Sequence, residues 1–253
     1  MILRYFFDIS YKGTAYHGWQ IQPNAKTVQE VINQALEILY AESVETIGSG
    51  RTDTGVHAKM QVFHADLPDK YETHELIHKL NGLLPDDIVV NQCQAVTSEA
   101  HARFSAERRG YEYHISFTRS PFGKDESSFL AKKPDPRLIN EGCKLLIGEH
   151  DFTSFSKVKT DVNNFRCTIH RAEWNQTADS AVFIVSANRF LRGMVRAMVG
   201  TLLDLGFGKI TIDEFRTIIE AENRSAAGQS VPPQGLYLCD VRYPEEIFIT
   251  HKS

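Results

Sequence analysis

The chain has 253 residues, 42% of them hydrophobic and 24% charged, with a formal net charge of −4. That is the make-up of a soluble globular protein with enough chain for one large domain or two of ordinary size. No apolar run approaches the roughly 18 residues of a membrane span, and residues 1–8 carry Arg4 and Asp8 within their apolar stretch, which excludes a signal peptide of the usual form. Four scattered cysteines (Cys93, Cys143, Cys167 and Cys239) form no Cys-x-x-Cys pair, the pattern of reduced, buried thiols in a cytoplasmic protein. The acidic balance argues against nucleic-acid binding through overall charge. Its distribution is uneven, however. Residues 157–196 hold seven Lys/Arg (Lys157, Lys159, Arg166, Arg171, Arg189, Arg192 and Arg196) against three acids (Asp161, Glu173 and Asp179), and residues 103–133 hold seven against four. A basic face on an acidic body and a solvated, mixed surface both fit these counts.

In chain order, residues 2–10 are predicted to form a strand. Residues 27–40 form a helix with a Thr27/Glu30 capping box and an apolar face of Val28, Val31, Ile32, Ala35, Leu36 and Leu39. Strands follow at 44–47 and 60–65, a helix at 73–83 stopped by Pro85, and a strand at 88–96. The order β-α-β-β-α-β then recurs: strand 111–118, helix 136–147, strands 168–174 and 182–187, helices 191–205 and 212–221, and strand 236–241. The expected fold is α+β: two tandem ferredoxin-like halves, similar in topology to RNA-recognition modules, with antiparallel sheets. The halves are placed at 1–106 and 107–253, with a cleft between them. The longest irregular stretch, 119–135, has the composition of a lid or binding arm.

Between the strands at 44–47 and 60–65 lies Gly48-Ser49-Gly50-Arg51-Thr52-Asp53-Thr54-Gly55-Val56-His57. It lacks the Gly-Lys-Ser/Thr of a P-loop and the third glycine of a dinucleotide-binding loop. Arg51 and Asp53, two apart, share one side of an extended backbone. A tight turn with a surface ion pair would explain them. So would a loop holding a carboxylate beside a cation, which keeps it charged for work as nucleophile or base. Preceding it, Tyr11, Tyr16 and Trp19 sit in another glycine-bearing stretch, either as stacking surfaces or as packing. On the 73–83 helix, His74-Glu75-Leu76-Ile77-His78 matches the zinc-protease spacing, with Glu99 as the downstream candidate for a third ligand. Two solvent-facing histidines are the competing reading. Tyr111 and Tyr113 share a strand face after Arg108-Arg109, as core tyrosines or with Tyr111 packing on a base. In the run 188–200, Phe190, Leu191, Met194, Val195, Met198 and Val199 form a helical stripe, with Arg192 and Arg196 one turn apart beside it.

Gly50-Arg51-Thr52-Asp53-x-Gly55-Val56-His57-Ala58 resembles the active-site motif of the TruA class of tRNA pseudouridine synthases. Thr27-Val28-Gln29, Tyr111, Asp151-Phe152-Thr153-Ser154-Phe155, Met194-Val195-Arg196 and Pro232-x-x-Gly235-Leu236-Tyr237-Leu238 extend the resemblance, in order and spacing, over nearly the entire chain. The resemblance implies an isomerase that converts uridine to pseudouridine at positions 38, 39 and 40 of the tRNA anticodon stem-loop, with no cofactor or metal. It implies Asp53 as the catalytic carboxylate, Arg196 as its partner, Arg51 at the vacated or flipped base, and Tyr111 and Leu236 at the uracil. Arg108, Arg109 and Arg192 are then candidate RNA contacts, and a homodimer is implied. A catalytically silent tRNA-binding protein and a zinc hydrolase through His74, Glu75 and His78 are the alternatives.

Overall fold

The structure is a computed structural model that describes residues 1–157 and 164–249; Lys159 and Asp161 of the basic stretch lie outside the described residues. It is a mixed α+β protein with two compact units: Met1–Glu107 together with Leu238–Ser253, and Arg108–Tyr237.

In the first unit the elements are β1 (Ile2–Tyr11), α1 (Val28–Tyr40), β2 (Ile47–Gly48), β3 (His57–Pro68), α2 (Thr73–Leu83) and β4 (Ile88–Val96). β1 is central and pairs antiparallel with β3 and β4, while β2 pairs antiparallel with β3. The order β4-β1-β3-β2 is that of a ferredoxin-like sheet. Alternation along β1 sends Tyr5, Phe7, Ile9 and Tyr11 into the core. Phe7 stacks on Phe63 at 4.7 Å between ring centroids. From the helices come Val28, Ile32, Ala35 and Leu36 of α1 and Leu76 and Leu80 of α2. The capping box expected of α1 is present, with Thr27 accepting from the Glu30 N–H and Glu30 accepting from the Thr27 N–H. The strand expected at 44–47 shrinks to two residues because α1 takes the bonds a sheet would need: Gln29 Nε2 donates to the Thr46 carbonyl at 2.6 Å and Thr46 Oγ1 to Asn33 Oδ1 at 2.6 Å.

Facing away from Phe7 are Arg4, Phe6 and, across the register, His64 and Asp66. This face is closed by residues 97–105 and by the turn after β10. Tyr243 and Phe248 meet Phe6 edge-on at 4.9 and 6.3 Å. His64 is 4% exposed and its Nδ1 accepts the Ala102 N–H at 3.1 Å. Burial, with Arg4 nearby, lowers its pKa to about 4 from an ordinary 6.5. Its native pKa lies below the unfolded value, so its contribution to stability is complete above pH 6.5 and is lost as pH falls toward 4, by about 3 kcal/mol in all. Thermal melts between pH 7 and pH 4 should show this loss. His64→Asn, which keeps an acceptor but does not titrate, should have a visibly shallower pH dependence.

The second unit contains β5 (Arg108–Ser116), β6 (Ser128–Phe129), α3 (Pro136–Leu146), β7 (Gly148–Asp151), β8 (Arg166–Gln176), β9 (Ser180–Ala187), α4 (Met194–Gly206) and α5 (Ile212–Glu220). The order β5-β9-β8-β7 is antiparallel throughout, and β6 adds a short parallel pair to β5. α3 starts at Asp135, whose carboxylate accepts the Arg137 N–H, and at Pro136. It is tied to β8 by Asn140, which donates to the Trp174 carbonyl and accepts the Trp174 N–H, both at 3.0 Å. β6 and β7 were not expected. β6 is two residues inside the irregular 119–135 stretch, and Gly-Glu-His-Asp has no apolar alternation to mark an edge strand. The final strand, β10 (Leu236–Arg242), belongs from Leu238 onward to the first unit, where it runs beside β3.

Candidate active site

The Asp53 loop is held from three directions. From β3, Gln61 points into the core and is fully buried, where it binds both ends of a turn: Ser49 Oγ donates to its Oε1 at 2.6 Å, and its Nε2 donates to the Gly50 carbonyl at 3.0 Å. From β1, the Tyr11 hydroxyl meets Thr52 Oγ1 at 2.8 Å. From residues 13–19, the Trp19 N–H reaches the Thr52 carbonyl, the Gly55 N–H reaches the Tyr16 carbonyl, and the Gly13 N–H donates to His57 Nδ1 at 3.0 Å. That last bond makes Nδ1 the unprotonated nitrogen of the buried His57 ring. Gly18 has φ +87°, and a Cβ there would collide with the Thr52 carbonyl, so the two loops touch backbone to backbone. The Asp53 carbonyl accepts the Val56 N–H at 3.1 Å and closes the turn. Asp53 itself is half-buried at the loop surface.

The structure decides two readings that the sequence left open. Tyr11, Tyr16 and Trp19 are buried and serve as packing for the loop, leaving no ring face for a ligand. Arg51 is exposed and makes no ion pair with Asp53 among the described residues, so the cation two residues away does not position the carboxylate. The loop that carries it is held by Gln61, Tyr11 through Thr52, and His57; of these, Gln61 was given no role in the sequence. A glutamine at an inward position of a strand was the available signal for Gln61. Gln61→Leu should remove the acceptor of the Ser49 hydroxyl and the donor to the Gly50 carbonyl, costing about 1–3 kcal/mol, read as a lower thermal midpoint accompanied by reduced turnover.

In the second unit, Arg196 stands in the first turn of α4. Its Nε donates to the Val231 carbonyl at 2.7 Å, and its own carbonyl accepts the Val231 N–H at 3.2 Å, so the 229–232 segment fixes the plane of the guanidinium. Tyr113 is fully buried and donates to the Pro232 carbonyl at 2.9 Å, with burial pushing its pKa up to about 12. Tyr111, two residues back on β5, is half-exposed and packs edge-on against Phe190 at 5.0 Å. The pair therefore divides, with Tyr113 structural and Tyr111 accessible. Leu236 is buried at the start of β10. Arg109 donates to the Asn188 carbonyl at 3.0 Å, and Arg108 is half-buried beside it in β5. Arg192 is not one helical turn from Arg196 as expected. Gly193, at φ +73°, reverses the chain before α4 begins, and the Arg192 carbonyl accepts the Lys157 N–H instead. Arg166 and Arg171 are taken up by Glu149 and Glu173, each at 2.7 Å, which thins the basic stretch. The Asp151–Phe155 motif is architectural: Phe152 and Phe155 are buried, and Ser154 Oγ accepts the Asn223 N–H.

His74, Glu75 and His78 are exposed on α2, Glu75 pairs with Lys79 at 3.4 Å, and Glu99 is exposed beyond β4. Among the described residues no group of three or more His, Cys, Asp or Glu side chains could hold a metal ion. Cys93, Cys143 and Cys167 are buried, and burial raises each thiol above its ordinary range; Cys239 is half-buried, where burial had been expected. No helix among the described residues is long and apolar enough to cross a membrane.

An α+β fold carrying a clamped Gly-Arg-Thr-Asp loop defines a class that comparison with known proteins makes definite. Residues 9–105 and 143–244 match the family described as tRNA pseudouridine synthase, and the chain belongs to that family. Among its relatives are proteins named tRNA pseudouridine synthase A. That of Parabacteroides distasonis is 48% identical over 97% of this chain and 98% of its own length. Those of Bacteroides thetaiotaomicron and Bacillus subtilis are 46% and 41% identical, over 97% and 93% of this chain and 92% and 97% of their own lengths.

Proposed function

We propose that this protein isomerises uridine to pseudouridine at positions 38, 39 and 40 of tRNA, with Asp53 as the essential carboxylate. The observation that carries the reading is the Asp53 loop, clamped by Gln61, Tyr11 and the 13–19 segment within a chain of this family. In the reaction the N1–C1′ glycosidic bond breaks, the uracil turns, C5 bonds to C1′, and the C5 proton leaves while N1 gains one. Nothing is oxidised or reduced, so the conversion needs no redox cofactor. A uridine within a stem has to leave its stack first, at a cost of a few kcal/mol. Arg51, exposed at the tip of the loop, suits the space the base vacates, and Tyr111 suits stacking on the uracil beside Leu236.

In this reading residues 1–106 supply Asp53, and residues 107–253 supply Arg196 and Tyr111 as further catalytic residues. Arg108, Arg109 and Arg192 meet the RNA backbone, so affinity should fall with added salt. The working form is a cytoplasmic homodimer, and light scattering that finds only monomer at assay concentration would remove that part. The positions are tested by incubating a tRNA transcript with the enzyme, derivatising pseudouridine with a carbodiimide and mapping reverse-transcription stops. Stops at 38, 39 and 40 are expected. A transcript that is bound but left without stops would favour the silent tRNA-binding protein.

A further inference from the structure

Residues 97–105 carry an aromatic ring presented to solvent on a firmly fastened turn. Phe104 is 75% exposed, yet the chain beneath it is tied at every step. Arg4 Nη1 donates to the Ser98 and Ala100 carbonyls at 2.7 and 3.0 Å, while Asp66 holds the same guanidinium through Nε and Nη2 at 2.7 Å each. His64 Nδ1 takes the Ala102 N–H, and the Tyr243 hydroxyl donates to the Ala102 carbonyl at 2.6 Å. His101 Nδ1 accepts the N–H groups of both Arg103 and Phe104, at 3.1 and 3.4 Å, and Ser105 closes the turn back onto His101. The His101 ring packs tilted against Phe104, with centroids 4.4 Å apart, and the Arg103 guanidinium lies over the Phe104 ring, 5.3 Å from its centroid.

A phenylalanine that only filled space would be covered. One that lay exposed by accident would not be expected on a turn fixed by two charged residues, two histidines and a tyrosine. A rigid ring with a guanidinium over one face suits stacking an unpaired base on the other face while keeping a cation near its phosphate. We propose that Phe104, with Arg103, is a stacking platform for an unstacked nucleotide of the RNA substrate. Its partner is a single-stranded or extruded base, held by a π-face that accepts any of the four bases. The proposal rests on the tRNA reading above and adds to it a contact outside the Asp53 loop.

The test measures binding of a fluorescent tRNA transcript by anisotropy, at a protein concentration where light scattering gives one oligomeric state, for wild type, Phe104→Ala, Phe104→Leu and Phe104→Trp. Phe104→Ala should weaken binding about tenfold, on the scale of one lost base stack. Phe104→Leu should weaken it nearly as much despite keeping apolar area, and Phe104→Trp should bind at least as tightly as wild type. Thermal midpoints should be unchanged, because the ring is mostly outside the core. Wild-type binding by both Phe104→Ala and Phe104→Leu would overturn the platform. So would a Phe104→Ala protein that has changed oligomeric state, since the ring would then belong to a subunit contact. A wild-type protein that neither binds nor modifies the transcript would overturn the tRNA reading itself, a distinct result.

Discussion

Asp53→Ala protein should bind tRNA with nearly wild-type affinity and show turnover reduced by at least about a thousandfold, the scale on which enzymes respond to losing a group that touches the reacting atoms. The structure explains why binding should survive. The loop is held by Gln61, by the Tyr11–Thr52 contact and by main-chain bonds from Gly55 and Trp19, none of which uses the Asp53 side chain. The Asp53 carbonyl, which closes the turn with the Val56 N–H, is present in the alanine variant too. Asp53→Asn adds a control of nearly equal shape: it should fold and bind as wild type and be equally inactive. Retention of a tenth of wild-type turnover by either variant would remove Asp53 from the centre of the reaction.

Arg196→Lys should reduce kcat by about a hundredfold, with little change in tRNA affinity, the pattern of an interaction made chiefly in the transition state. A lysine keeps the charge but loses the planar fork and the Nε–H. In the structure that Nε–H is committed to the Val231 carbonyl at 2.7 Å, and this bond fixes the orientation in which the rest of the guanidinium is presented. Arg196→Met should lower stability as well, by about 1–3 kcal/mol, because the Val231 carbonyl loses a charged donor. A lysine variant with wild-type kcat would show that the guanidinium only fastens the 229–232 segment.

Much of this was legible in the sequence because regular elements write their periods into it. The capping box at Thr27 and Glu30 marked the start of α1, and the strand expected at 88–96 is β4 to the residue. The Asp53 loop stood out because its glycines have no use in a helix or strand. What stayed hidden were contacts between parts distant in sequence. Nothing local to Gln61 says that it will hold residues twelve positions upstream, or that Arg4 will fasten the 98–100 segment. Arg192 misled for a related reason: its apolar neighbours follow the helical period, but one glycine at positive φ ends that period before the helix starts. Tyr16 and Trp19 are aromatics in irregular backbone, and only the loop packed over them shows that they are core.

The central claim is tested most directly by tritium release from a tRNA transcript labelled at C5 of its uridines, because C5 loses its hydrogen only when it becomes the point of attachment to the sugar. Wild-type protein without added cofactor should release tritium in proportion to the target uridines and stop there. A transcript that is bound tightly and yet releases none would contradict the assignment of uridine isomerisation to this protein.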